Sequence, residues 1–329
     1  MSSIWRIIAR LRPSLDLSSV SQMLISLYVY SIIRKICGKR YDGSPAFPYW
    51  RADDFDITEE RFSFYSAERR LSGSKYFKKG IDPKAIVVFF HGLGDGRASY
   101  IKEICLLAKE GYLVYAYDNT GSMESQGDKI RSLDHAASDQ KAFFAYLDKE
   151  ISVKGLKRYA IGHSWGGWAA MMSAKKEYGI EKIVSLSGYI SFPELLRCRF
   201  PKFIGFFKPA FWLASRLADP KNGGKNAINV IRRNKSVKLL YIQGSEDGIV
   251  PLRAGFSPLR KAFLGNPSIE FIYAEGSKHS PFRTVGSEAY VSNFLENDSM
   301  KKMNMEMDLE KATEENPLVW KAIFDFFEN

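Results

Sequence analysis

The run Ala85-Ile86-Val87-Val88-Phe89-Phe90 is apolar at every position. A strand sends alternate side chains to opposite faces, so a strand apolar throughout must be covered on both. The same kind of segment returns in YLVYAYD (112–118), at 157–161 and 182–187, in VKLLYIQG (237–244) and in SIEFIYAEG (268–276). Segments suited to helices separate them, at 97–110, at 134–150 with Ala137, Phe143, Phe144 and Leu147, and at 164–178. PLVWKAIFDFFEN (317–329) closes the chain as an amphipathic helix. An edge hairpin is expected from 60–66 and 69–78. Alternating strands and helices of this kind predict an α/β fold, a mostly parallel central sheet with helices on both faces.

Three segments break the rhythm. Residues 1–50 form an arm before a body expected over 51–329. Positions 1–40 hold seven Arg and Lys side chains against one acid, Asp16, in a chain whose net charge is +11. Ile4, Ile7, Ile8 and Leu11 follow helical spacing with Arg6 and Arg10 on another side, and Pro13 ends that turn. A second helix starts near Ser18 and ends on Arg34 and Lys35. Its apolar part, Val20 to Ile33, is fourteen residues interrupted by serines and Gln22, where a span needs about 20. No small-residue cleavage site follows it. The arm therefore either lies on an anionic membrane surface or packs on the body as an extra helix pair. The second interruption, 189–235, is too long for one crossover helix and predicts an inserted cap. The third, 297–316, is Met-rich and charged and reads as a surface insertion.

Gly162-His163-Ser164-Trp165-Gly166 fits G-x-S-x-G, and its context RYAIGHSWGGWAAMMSA is a strand, a sharp turn and a helix of small residues. That setting exposes a serine hydroxyl on a strained turn, at a helix N-terminus whose dipole favours a developing oxyanion. The two glycines are expected where side chains would strike the neighbouring strand and helix. A serine hydroxyl needs an adjacent base. The chain has four histidines, His91, His135, His163 and His279. His163 precedes the serine and should point away from it, and His135 opens a helix and is expected at the surface. The orienting acid is Asp247 or its neighbour Glu246, both after strand 237–243.

With these residues in view, the chain resembles the α/β-hydrolases of the serine aminopeptidase and monoacylglycerol lipase-like branch, over roughly 60–295 plus the final helix. VVFFHGLGDG (87–96) resembles the family's oxyanion loop and YDNTGSMES (117–125) its Asp-x-Arg-Gly-x-Gly-x-Ser motif, with Thr120 and Met123 replacing Arg and Gly. GSEDGIVP (244–251) resembles the acid loop and EGSKHSPF (275–282) the histidine loop. The resemblance implies a triad of Ser164, Asp247 and His279, in the order this fold uses. It gives His91 and Asp118 structural roles. It implies an oxyanion hole formed by the backbone N–H groups of Leu93 and Trp165.

The cap is aromatic and basic. Phe192, Phe203, Phe207 and Trp212 are candidate substrate contacts, set against the alternative that they pack on the domain below. The implied activity is hydrolysis of a small-molecule carboxylic ester, lipid-like or medium-chain, through an acyl-enzyme. Amide or peptide hydrolysis and acyl transfer use the same triad, and a catalytically silent binding module is the alternative of another class. No metal-ligand spacing or phosphate-binding loop appears, so no metal or cofactor is expected. The basic charge is concentrated in arm and cap without a nucleic-acid motif, so nucleic acid is not expected as a partner. Contact with an anionic membrane through arm or cap is. Three scattered cysteines, Cys37, Cys105 and Cys198, suit a reducing compartment and a cytoplasmic protein, with membrane association as the variant.

Overall fold

The computed structural model describes residues 17–43, 48–94, 96–205, 207–296 and 307–329. Eight strands form one sheet: β1 (Thr58–Ser66), β2 (Arg69–Phe77), β3 (Ile86–Phe90), β4 (Leu113–Tyr117), β5 (Arg158–His163), β6 (Ile180–Leu186), β7 (Lys238–Gly244) and β8 (Ile269–Ala274). Their order is β1-β2-β4-β3-β5-β6-β7-β8. The hairpin β1–β2 is antiparallel and joins β4 antiparallel; every other pair is parallel.

The apolar run of β3 divides between two cores. Ile86, Val88 and Phe90 enter one, Val87 and Phe89 the other. The first face is covered by α1 (Leu17–Cys37), α3 (Ala136–Leu147) and α4 (Trp165–Met172). The second is covered by α2 (Ile101–Lys109) and the final helix α10 (Pro317–Glu328), which contributes Val319, Trp320, Ile323, Phe326 and Phe327. Burial on both sides is why these strands carry no polar alternation.

Between β6 and β7 the chain leaves the sheet to build the cap from α5 (Phe192–Arg197), a single turn at Lys202–Gly205, α6 (Lys208–Ala218) and α7 (Ala227–Arg233). Helices α8 (Phe256–Ala262) and α9 (Val285–Glu296) flank β8, and a single helical turn at Leu309–Ala312 precedes α10. The arm helix α1 packs against α6, and its Val29, Ile33 and Cys37 are fully buried in the first core. After α1 the chain is tied to the loop that follows β4. Tyr41 N–H donates to the Gly121 carbonyl at 2.9 Å and the Tyr41 carbonyl accepts from Met123 N–H at 3.0 Å. The Arg40 guanidinium bonds the carbonyls of Met123, Ser125 and Gly127. The helix expected at Ile4–Leu11 lies outside the described residues, as does the first half, 297–306, of the Met-rich segment. Among the described residues no helix is long and apolar enough to cross a membrane.

Candidate active site

Parallel strands bring the loops after β3, β5, β7 and β8 to one edge of the sheet, where ligands bind in open α/β folds. Ser164 stands between β5 and α4 with φ 57° and ψ −112°. An L-residue rarely adopts this conformation, and strain of this kind persists only where its surroundings enforce it. Here they do. Ser164 N–H donates to the Leu186 carbonyl at 2.8 Å, and the Ser164 carbonyl accepts from Trp168 N–H at 3.1 Å. A Cβ on Gly162 would lie 2.2 Å from the Gly166 carbonyl oxygen, and one on Gly166 would lie 1.9 Å from that of Phe90. Both glycines of the motif are thus steric requirements of the turn.

The acid and histidine loops are stitched together at the ends of β7 and β8. Glu246 N–H donates to the Ser277 carbonyl at 2.9 Å and Gly276 N–H to Ser245 Oγ at 2.8 Å. Gly244 lets the second loop approach, since a Cβ there would fall 2.0 Å from the Lys278 oxygen. His279 Nδ1 lies 3.0 Å from each carboxylate oxygen of Asp247. The Asp247 carboxylate is completely covered. Its Oδ1 accepts from Ile249 N–H at 2.9 Å and Val250 N–H at 2.8 Å, and its Oδ2 from the Gln243 amide at 3.3 Å. Glu246 points to solvent. Between the two acids left open by adjacency, Asp247 is the one that meets the ring. Among the described hydrogen bonds none joins Ser164 Oγ to the His279 ring, whose Nε2 is without a protein partner. In enzymes built this way that bond commonly tightens only once substrate is bound.

The loop after β3 is held by His91. Asn119 N–H donates to its Nε2 at 3.0 Å and its Nδ1 donates to the Gly92 carbonyl at 2.6 Å. Both bonds suit a neutral ring, and burial lowers its pKa from the usual value. Trp165 N–H opens α4, where no preceding turn supplies an acceptor. Among the described residues neither it nor Leu93 N–H bonds within the chain. Both are therefore available to a ligand oxygen.

Asp118 has the structural role expected. Its carboxylate accepts from Arg97 N–H at 2.8 Å and pairs with the buried Arg97 guanidinium, which also reaches Glu124. The arginine missing at 120 is thus matched by a guanidinium from another loop. Thr120 instead gives both N–H and hydroxyl to Asp139, and Met123 accepts the glycine's conformation at φ 42°.

Two placements correct the sequence expectation or go beyond it. His135 is largely covered rather than on the surface, its Nδ1 3.5 Å from Asp219, because the cap closes over it. Glu288 on α9 had no sequence signal. Its carboxylate accepts from Lys278 N–H at 2.7 Å and Ser280 N–H at 2.6 Å, bracketing His279.

The cap aromatics do not converge. Phe192 belongs to the first core, Phe203 and Trp212 are exposed, and Phe207 is half-buried. Trp212 lines a cap cavity of about 290 Å³ with Lys208 and Phe211. A smaller one of about 140 Å³ lies beside the loops of interest, between Leu93, Tyr100, His163, Ser280 and Arg283.

This sheet, with a serine turn and an Asp–His pair at its strand ends, has the α/β-hydrolase fold. Residues 81–244, just under half of the chain, match the family described as serine aminopeptidase, S33. The chain is similar to monoglyceride lipase of Rattus norvegicus, 25% identical over 182 residues, 51% of this chain and 54% of that one. It is also similar to monoglyceride lipase of Homo sapiens, 27% identical over 105 residues, 32% and 35% of the two chains. The chain thus spans about half the length of these curated relatives, or less. Among solved structures, an esterase of Pyrococcus furiosus superposes with TM-score 0.56 at 21% identity, covering 80% of this chain and 98% of its own. A dienelactone hydrolase-like promiscuous phosphotriesterase from metagenomic libraries superposes with TM-score 0.53 at 18% identity, covering 83% and 98%. These likenesses concern the fold.

Proposed function

We propose that this chain is a serine hydrolase that cleaves carboxylic esters through an acyl-enzyme, with a lipid-like or medium-chain acyl group. The observation that carries this reading is the covered Asp247 carboxylate bonded to His279 at the strand ends that also present Ser164 on its strained turn. The monoglyceride lipases it resembles support the ester and the lipid-like acyl group.

In the reaction His279 Nε2 takes the Ser164 proton as Oγ bonds the substrate carbonyl carbon. The carbonyl oxygen becomes an oxyanion held by the N–H groups of Leu93 and Trp165. Asp247 keeps Nδ1 protonated and steadies the imidazolium. The carbon–oxygen bond to the alcohol breaks and His279 gives that alcohol its proton. Water, deprotonated by His279, then attacks the acyl-enzyme, releases the acid and restores the Ser164 hydroxyl.

The protein would meet its substrate at an anionic membrane. Leu24 and Tyr28 on α1, both about 60% exposed, and Trp212, Leu213 and Leu217 on α6 form the outer faces of two packed helices, with Lys208 and Arg216 among them. An apolar face with basic neighbours suits a lipid surface. The three cysteines, all buried and free, suit the reducing cytoplasm.

The test is labelling with a fluorophosphonate probe followed by an ester chain-length series. Wild-type protein should label and Ser164→Ala should not. Turnover should peak above acetyl; an acetyl optimum would discredit the lipid-like acyl group. Labelling retained in Ser164→Ala would move the nucleophile elsewhere.

A further inference from the structure

One row of hydrogen bonds crosses the site without using Ser164, His279 Nε2 or Asp247. Gly92 N–H donates to Tyr100 Oη at 3.1 Å. Tyr100 Oη lies 2.9 Å from His163 Nδ1, and His163 Nε2 lies 2.9 Å from the His279 carbonyl oxygen. The direction of each bond follows from chemistry. A carbonyl only accepts, so His163 Nε2 carries the hydrogen. A neutral ring then has a bare Nδ1, which accepts from the tyrosine hydroxyl, whose lone pair accepts from Gly92. Every member is satisfied in this one arrangement.

The row joins three segments far apart in the chain: the loop before Leu93, the residue before Ser164, and the backbone of His279. Phe282 and His279 pack against the His163 ring, with centroids at 5.0 and 4.7 Å. The ring is buried, and burial pushes its pKa well below the usual value, helped by neighbouring His279 and Arg283 and opposed by its bond to the His279 backbone.

The geometry points to Tyr100 and His163 as positioning residues, which hold the oxyanion loop and the backbone of the base His279 in fixed register with the serine turn. This assignment rests on the serine-hydrolase reading for its effect on rate. The two residues act at one remove. Tyr100 fixes the peptide of Gly92, next to the Leu93 N–H, and His163 fixes the peptide that carries the His279 side chain. Small misplacements of reacting groups are costly, about 100-fold for 1 Å, so bonds of this kind act on turnover more than on substrate affinity.

The experiment compares wild type, Tyr100→Phe, His163→Gln and His163→Ala. The glutamine amide can reach the His279 carbonyl from where Nε2 stood; Tyr100→Phe removes a hydroxyl and little volume. Tyr100→Phe should lower kcat on a p-nitrophenyl ester about 10–100-fold, with KM within about twofold and the melting temperature nearly unchanged. His163→Gln should recover most of that turnover relative to His163→Ala. Nitrogen-15 spectra of the wild type should show His163 as the Nε2–H tautomer, and Tyr100→Phe should keep that tautomer, which the His279 carbonyl fixes, while the Nδ1 resonance shifts as it loses its donor. Wild-type kcat in Tyr100→Phe and His163→Ala, or an Nδ1–H tautomer in the wild type, would overturn the assignment. A wild type that fails to label with fluorophosphonate would overturn the hydrolase reading instead, and the tautomer measurement would still decide the hydrogen-bond row.

Discussion

Asp247 approaches His279 Nδ1 with both carboxylate oxygens at 3.0 Å, while two backbone N–H groups hold Oδ1 from the other side. An asparagine at 247 keeps the acceptor for Ile249 and Val250 but offers the ring an N–H where it had an acceptor. The imidazole must then turn to its other tautomer, with its proton on Nε2. Asp247→Asn should therefore fold normally and lower kcat by about 10⁴, whereas Glu246→Gln should leave it unchanged. Steady-state kinetics with circular dichroism on both variants checks this. Equal losses in the two would exclude Asp247 as the orienting acid.

Glu288 is predicted to matter although it lies outside the triad. Its carboxylate takes the N–H groups on either side of His279, and charge-assisted bonds contribute about 1.5–3 kcal/mol each. Glu288→Ala should lower kcat about 10–100-fold and raise hydrogen exchange at residues 278–280. Full activity with unaltered exchange would show the loop to be held without it.

The glycines separate steric need from loop flexibility. Gly166→Ala pushes a methyl into the Phe90 carbonyl, and insoluble or strongly destabilised protein is expected, with a loss of at least about 3 kcal/mol. Gly248→Ala meets nothing within 4 Å and should stay within about 0.5 kcal/mol. Chemical denaturation of the two variants makes the comparison.

Asp134 sets a pH dependence of stability. Burial raises its pKa to about 8; Gly224 N–H and Lys225 oppose the rise and Asp219 adds to it. Unfolded, the carboxyl ionises near its ordinary value, while the folded form keeps its proton until about pH 8. The folded state therefore binds more protons across this window, and its stability falls as pH rises from about 4 to about 8. Asp134→Asn removes the titration. Its melting temperature should gain progressively on the wild type as pH rises over that range and level off above about pH 8. A constant difference across the range would contradict the assignment.

The arm combines a buried and an exposed face that mutate differently. Ile33→Ala empties a filled site and should cost about 2–4 kcal/mol. Leu24→Ser lies on the outer face and should cost about 0.5 kcal/mol or less, while weakening binding to anionic vesicles. Sedimentation with phosphatidylserine vesicles distinguishes the two effects. Unchanged binding in Leu24→Ser combined with Trp212→Ser would remove the membrane surface from the proposal.

The strands were legible because burial on both faces writes itself as unbroken apolar runs, and β3 is the clearest case. Ser164 was legible because its turn is local: Gly162, Gly166 and the small residues of α4 stand within one short stretch. Asp247 and His279 needed the resemblance, and the selection of Asp247 over Glu246 depended on which side chain the turn after Gly244 sends inward. Tyr100 and Glu288 left no sequence signal. Their partners lie 63 residues from Tyr100 at His163 and 8 or 10 residues from Glu288 on a loop whose path only the fold defines. The arm's burial was equally silent, since Val29 and Ile33 follow the same spacing whether they face lipid or protein.

The stitching of Arg40 and Tyr41 to the segment 121–127, with α1 lying along α6, makes the arm a splint between the cap and the hydrolase body. A rigid swing of α6 away from the sheet would drag α1 with it and break carbonyl contacts near Asp118. Trimming the chain at residue 51 would remove the splint along with Leu24 and Tyr28 of the exposed face.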